Sequence, residues 1–78
     1  MKILIYSTPT CPWCLLAKKY FTDKNIPFEN IDVAADQEKA QEMVDLSGQL
    51  GVPVIVIDDE VLVGFDKDTI EKILADKK

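Results

Sequence analysis

The sequence contains no histidine and no arginine. The absence of histidine excludes imidazole general bases, cysteine–histidine nucleophile pairs, histidine-ligated metals and covalent haem attachment. The basic residues are nine lysines, and fourteen acidic residues outnumber them, which gives a net charge of −5 at pH 7. A chain with this balance has no basic face with which to neutralise a run of phosphates, so we expect no nucleic-acid partner.

Long apolar runs and low-complexity segments are also missing. The apolar stretch after Met1 and Lys2 is shorter than the core of a signal peptide, and none approaches the ~20 residues of a membrane span. No stretch rich in proline, glycine or serine separates two parts of the chain. Its 78 residues are 47% hydrophobic, which is enough for one core. We therefore expect a single domain over residues 1–78, monomeric, cytoplasmic and without a membrane partner.

Cysteine is scarce, with only Cys11 and Cys14. Small disulfide-stabilised domains carry four to eight cysteines, and a bridge between residues three apart closes almost no loop, so it adds little stability. In a reducing compartment such a pair is more often catalytic or metal-binding than structural. A zinc or iron–sulfur site needs four ligands and this chain supplies two, so we predict no metal site within one copy. A dimeric metal-binding module is the alternative.

The hydrophobic pattern predicts the order βαβαββα. The predicted strands are residues 2–6, 28–33, 52–58 and 61–63, with a turn at Asp58 and Asp59 between the last two. The first helix begins at the cysteine pair and stops at Asn25, and the second is capped by Asp36 and ends at Gly48. The third is capped by Asp66, with Ile70, Ile73 and Leu74 inward and Lys72, Lys77 and Lys78 outward. A parallel β-α-β crossover followed by a hairpin predicts an α/β fold with a four-stranded mixed sheet and helices on both faces.

The cysteine pair falls where a loop becomes the first helix, whose predicted inward stripe is Cys14, Ala17, Tyr20 and Phe21. Helical spacing puts residues i and i+3 roughly 5 Å apart at Cα, which is within the range of a disulfide. Cys11 is the predicted nucleophile because the unpaired N–H groups of a helix N-terminus stabilise a thiolate. Cys14 is the predicted resolving thiol because desolvation on the apolar face favours its neutral form.

The residues flanking the pair have predicted roles as well. Pro12 suits the first helical turn, where no N–H is needed. We expect Trp13 to be an exposed ring on which substrate docks, with Leu15 and Leu16 widening that surface. Lys18 and Lys19 are expected to be a solvated helix face, with weak electrostatic support of the thiolate as the alternative.

Three segments, YSTPTCPWC, VPVIVID and VGFD, resemble the glutaredoxin family of the thioredoxin superfamily. The resemblance implies a thioredoxin-like fold, thiol–disulfide exchange through a reversible Cys11–Cys14 disulfide, and no other bound cofactor. It also implies that the Val52–Pro53 peptide bond is cis and presents the Val52 backbone to substrate. The expected substrate-binding residues are Thr10, Pro12, Trp13, Val52, Pro53, Gly64, Phe65 and Asp66.

Departures from the family pattern bear on the reductant. Thr8, Gly51 and Val63 stand where glutathione-dependent members commonly have lysine, threonine and glycine. Loss of the lysine removes a charge-assisted contact to glutathione worth ~1.5–3 kcal/mol, or roughly 10- to 150-fold in affinity. The Gly64-Phe65 pair instead is similar to the glutaredoxin-like electron donors of ribonucleotide reductase, although the arginine common after it is here Asp66. The expected partners are therefore a disulfide-containing protein and a flavoprotein reductase such as thioredoxin reductase, with glutathione disfavoured.

Overall fold

The structure, a computed structural model, describes residues 2–49 and 51–76. Its helices and strands follow one another as β1 Ile3–Ser7, α1 Pro12–Asp23, β2 Glu29–Asp32, α2 Gln37–Ser47, β3 Val54–Ile57, β4 Glu60–Val63 and α3 Lys67–Asp76. The predicted order βαβαββα is therefore confirmed. None of the helices described is long and apolar enough to cross a bilayer.

The strands form one mixed sheet in the order β2-β1-β3-β4. Strand β1 pairs in parallel with β2, which is the predicted crossover, and antiparallel with β3. Strands β3 and β4 form the predicted hairpin, with Asp58 at a positive φ of 53° in its turn. The carboxyl end of β1, which leads to the cysteine pair, thus lies beside the start of β3, with Tyr6 opposite Val54.

Two apolar clusters cover the two faces of the sheet, which confirms the predicted placement of helices on both. On one face, side chains of α1 and α3 pack on the isoleucines of β1 and β3, with Phe21 and Ile70 fully buried. On the other face, Met43 of α2 packs on Tyr6, Val54 and Val56. The alternation of side chains along each strand produces this division, because successive residues point to opposite faces.

Local signals explain most of the helix ends. The Asp36 carboxylate accepts hydrogen bonds from the N–H groups of Glu38 and Lys39, at 3.0 and 3.2 Å, and so caps α2. Gly48 ends that helix in the left-handed conformation, with φ 77°. Asn25, predicted as the stop of α1, has φ 57° and follows the C-cap Lys24. The predicted outward positions of Lys77 and Lys78 lie outside the described residues.

Some predicted boundaries were wrong. The second strand is shorter than residues 28–33, because the Asp32 carboxylate accepts hydrogen bonds from the N–H groups of Ala34 and Ala35 and turns the chain. The third strand begins at Val54 rather than residue 52, since Pro53 has no N–H to donate to a strand ladder. The first strand runs from Ile3 to Ser7 instead of 2–6, and the fourth begins at Glu60.

Candidate active site

Cys11 is the N-cap residue of α1. Its backbone is extended, and its Sγ accepts a hydrogen bond from the N–H of Cys14 over 3.3 Å. Pro12 occupies the first helical position, as predicted, where its missing N–H leaves no helical hydrogen bond unmade. The Cys11 N–H donates to the carbonyl oxygen of Thr8 at 3.3 Å, which holds the preceding loop in a turn. Both cysteines are free thiols.

The pKa of the Cys11 thiol is lower than its ordinary value of 9.0. Partial burial acts to raise that pKa, but hydrogen bonds from Cys14 and from the backbone N–H of Trp13 stabilise the thiolate and outweigh it. The ammonium group of Lys18 adds a smaller lowering effect. The sulfur at the start of α1 is therefore the more readily ionised of the two, as the sequence predicted.

The pKa of Cys14 moves in the opposite direction, to about 11. Burial is the main cause, since Cys14 lies on the inward side of α1 with 0% exposure. The hydrogen bond that its thiol donates to Cys11 adds to the effect. A proton held on Cys14 therefore stabilises the negative charge on Cys11. The two sulfurs form one unit in which the first ionises more easily and the second is kept neutral, which is the electrostatic contrast that the sequence predicted.

Five of the predicted substrate-binding residues meet in one open groove of about 250 Å³. They are Trp13, Val52, Pro53, Gly64 and Phe65. The Sγ of Cys11 lies 3.9 Å from the carbonyl oxygen of Val52, so the reactive sulfur stands at this groove. The Val52–Pro53 peptide bond is cis, as the resemblance implied, and the ring of Trp13 is 59% exposed. The groove can thus accept an extended polypeptide segment that passes over the Cys11 sulfur.

Three other predicted substrate-binding residues, Thr10, Pro12 and Asp66, do not line the groove. Thr10 lies in the turn that precedes the nucleophile. The Asp66 carboxylate instead caps α3, where it accepts hydrogen bonds from the Thr69 hydroxyl at 2.8 Å and the Thr69 N–H at 3.3 Å. These bonds lower the pKa of Asp66. A direct part in substrate binding stays a prediction for all eight residues.

Tyr20, predicted for the inward stripe of α1, is half-buried and packs against the apolar cluster of α1 and α3. Its ring also lies edge-on to Phe65, with ring centroids 5.9 Å apart, a contact that the sequence did not predict. It therefore supports the aromatic wall of the groove from behind. The Tyr20 hydroxyl is buried without a hydrogen-bond partner among the described residues. The sequence does contain a signal for the position of Tyr20 behind the groove, because the spacing of Trp13, Leu16 and Tyr20 places them along one side of α1.

The burial of Cys14 bears on the dimeric metal-binding alternative. A site built from the four cysteines of two copies would have to use the sulfur of Cys14. That sulfur is fully enclosed, so it could reach an ion only if the first turn of α1 opened.

This sheet order, with a cysteine pair where β1 gives way to α1, defines a member of the thioredoxin superfamily. Within that superfamily, the sequence profile of the glutaredoxin family matches residues 3–62, and the chain belongs to that family of thiol oxidoreductases. The resemblance seen in the three sequence segments is thereby confirmed.

Similar proteins come from several microorganisms. A relative in Clostridium pasteurianum, described as an uncharacterized glutaredoxin-like 8.6 kDa protein in a rubredoxin operon, is 53% identical and covers 92% of this chain and 96% of its own. Glutaredoxin 3 of Escherichia coli K12 is 36% identical and covers 80% of this chain and 75% of its own. The solved NrdH-redoxin of Escherichia coli, described as glutaredoxin-like with a thioredoxin-like activity profile, has a TM-score of 0.83 at 29% identity. That alignment covers 94% of this chain and 95% of the other.

Proposed function

We propose that this chain, as a single monomeric domain of residues 1–78 in the cytoplasm, reduces the disulfides of protein substrates through a dithiol–disulfide cycle of Cys11 and Cys14. The observation that carries this proposal is the contrast between the two sulfurs. The pKa of Cys11 is lowered at the helix N-terminus, and that of Cys14 is raised to about 11 by burial. An accessible nucleophile that ionises more easily, beside a second thiol that stays protonated, is the arrangement that two-step exchange needs.

The first step forms a mixed disulfide. The Cys11 thiolate attacks one sulfur of the substrate disulfide, a new S–S bond forms to Cys11, and the second substrate sulfur leaves as a thiolate that takes a proton from water. Once Cys11 is part of a disulfide, it is no longer an anion that accepts a hydrogen bond from the Cys14 thiol. Burial still raises the pKa of Cys14, but the part of the rise that came from Cys11 is gone, which favours ionisation of Cys14.

The second step releases the product. The Cys14 thiol loses its proton and its thiolate attacks the Cys11 sulfur, so that the Cys11–Cys14 disulfide forms and the remaining substrate sulfur leaves as a thiolate. Two electrons have passed from the protein dithiol to the substrate disulfide. In α1 the N–H of Cys14 already lies 3.3 Å from Cys11 Sγ, so little backbone motion is required.

The groove supports a polypeptide as the substrate. An extended segment can hydrogen-bond to the Val52 backbone, whose carbonyl oxygen lies 3.9 Å from Cys11 Sγ. Trp13 and Phe65 provide apolar walls on which neighbouring side chains of that segment can pack. A peptide bound in this way would carry its own sulfur over the nucleophile.

We further propose a flavoprotein disulfide reductase, such as thioredoxin reductase, as the electron source. Glutathione carries two carboxylates, and this acidic chain has Thr8 where a lysine would bind one of them. The similarity to an NrdH-redoxin described as having a thioredoxin-like activity profile supports the same choice. A relative's place in a rubredoxin operon is consistent with redox partners in general.

Two serine variants test the cycle with insulin as the disulfide substrate. We expect Cys11→Ser to abolish insulin reduction, because it removes the attacking thiolate. We expect the Cys14→Ser variant to stop after the first step and to accumulate as a mixed disulfide with insulin. Mass spectrometry would detect this species, and dithiothreitol would reduce it. Full activity of Cys11→Ser would overturn the proposal, and so would full multiple-turnover activity of Cys14→Ser.

A further inference from the structure

Among the described residues, the large exposed apolar side chains fall on two separate surfaces. Trp13, Leu15 and Leu16 lie in the first turns of α1, and Trp13 lines the groove. The second surface, here called the β4 face, consists of Leu46, Val61 and Val63, which are 48%, 37% and 51% exposed. The proposed dithiol cycle uses only the first surface and leaves the β4 face unexplained.

The members of the β4 face lie on the α2 side of the sheet. Val61 and Val63 are opposite Val56 and Val54 on β3, and those two valines are buried beneath Met43 of α2. Leu62, between them, points the other way and packs on the cluster formed with α1 and α3. Leu46 follows Met43 by three residues and is therefore near it on α2.

The two edges of the sheet differ in character. Among the described residues, β2 pairs only with β1 and β4 pairs only with β3, so each presents one side of its backbone. Strand β2 has three polar side chains in four positions, Glu29, Asn30 and Asp32. Strand β4 has one, Glu60, and three apolar ones. Charged and polar side chains protect an edge strand from pairing, so β4 is the edge suited to a further strand.

The charged side chains nearest the β4 face are negative. The hairpin turn and the end of α2 carry four acidic side chains and no lysine, which are Asp45, Asp58, Asp59 and Glu60. The start of α2 lies at the other edge of the sheet, where the Asp36 N–H donates to the carbonyl oxygen of Asp32 at the end of β2. On the opposite face, α1 and α3 with their caps carry five lysines and five acidic side chains among the described residues. Negative charge therefore prevails on the face where Val61 and Val63 are exposed.

We propose that the β4 face binds an extended, lysine- or arginine-bearing segment of a partner protein, which adds to the sheet alongside β4. The backbone of the segment would pair with β4, its apolar side chains would cover Val61 and Val63, and its cations would meet the acidic rim. A second copy of this chain is the poorer occupant, because the same acidic side chains would then face each other. This inference does not depend on the thiol chemistry.

Two synthetic peptides test the surface directly. Titration of the reduced, ¹⁵N-labelled full chain with the acetylated, amidated peptide KVKVKVK should shift the amide resonances of β4 and the last turns of α2, saturably and less strongly at high salt. The matched peptide EVEVEVE should leave them in place. Equal shifts with both peptides, shifts confined to other elements, or none with the lysine peptide would overturn the proposal.

Variants separate the apolar and the charged contributions. The double change Val61→Thr and Val63→Thr keeps the β-branched shape and should weaken binding of KVKVKVK about tenfold. Glu60→Lys should weaken it as well, whereas Asp23→Lys, the same type of charge reversal at the end of α1, should not. Unchanged affinity in the valine variant would contradict the proposal. So would a wild-type dimer in sedimentation that the valine variant dissociates, because the surface would then belong to a second copy.

Discussion

The sulfurs of Cys11 and Cys14 differ in acidity because their surroundings differ, although they lie in a single helical turn. The pKa of the first is lowered by hydrogen bonds it accepts, whereas the second is buried and its pKa is about 11. In the reduced protein, iodoacetamide should therefore modify Cys11 with a pH midpoint below 9.0, while Cys14 stays unmodified until much higher pH. Mass spectrometry across a pH series would measure both, and equal modification of the two cysteines at neutral pH would contradict the assignment.

Lys18 contributes to this contrast, since its ammonium lowers the pKa of Cys11. Lys18→Met should therefore move the Cys11 midpoint to higher pH and reduce its alkylation rate at pH 7. Lys19→Met removes the same charge from the next, more exposed position and is the matched control. A larger shift in the Lys19 variant than in the Lys18 variant would show that net charge rather than proximity is responsible.

The Tyr20 hydroxyl has no hydrogen-bond partner among the described residues, although it is buried. An unsatisfied buried hydroxyl costs about 1–3 kcal/mol, so Tyr20→Phe should increase the free energy of unfolding by about 1 kcal/mol. The ring contact with Phe65 is retained, and insulin reduction should be unchanged. Urea denaturation measures the first expectation. A less stable Phe variant would mean that the hydroxyl has a partner in solution.

At the scale of elements, the helix caps are local devices that act separately from the site. Asp36→Ala should lower the free energy of unfolding by about 1 kcal/mol, because the N–H groups of Glu38 and Lys39 lose their acceptor. Asp36→Ser should restore most of that loss. Neither change should alter the pH midpoint of Cys11, since α2 packs on the sheet face opposite α1. A shifted midpoint would show that the two faces are coupled.

The elements were also the best-predicted level of structure. The caps Asp36, Gly48 and Asp66 and the stop at Asn25 were identified correctly because each depends on a few neighbouring residues. Strand ends were less accurate. Strand β2 is shorter than predicted because the Asp32 side chain turns the chain. Strand β1 is longer at its end because the backbone of Ser7 pairs with that of Asp32 on β2.

At the scale of the whole molecule, charge and groove chemistry support the proposed choice of a flavoprotein reductase over glutathione as the reductant. Oxidised protein should be reduced faster by a flavoprotein reductase with NADPH than by glutathione. Thr8→Lys should raise the rate with glutathione about tenfold or more, because it supplies the missing contact to a carboxylate. Thr22→Lys, the same substitution at the other end of α1, should not. Faster reduction of the wild type by glutathione would reverse the proposed partner and leave the dithiol cycle intact.

The sequence by itself determined the order of the elements, the helix caps and the position of the nucleophile at a helix start, because these follow from residue type and spacing within one or two turns. Only the tertiary structure decided what surrounds that nucleophile. Val52, separated from Cys11 by 41 positions, comes to 3.9 Å from its sulfur, and Tyr20, at the margin of the core, meets Phe65. Periodicity shows which side of a helix faces inward. Which atoms that side meets depends on segments far away in the sequence, such as the one that holds Val52.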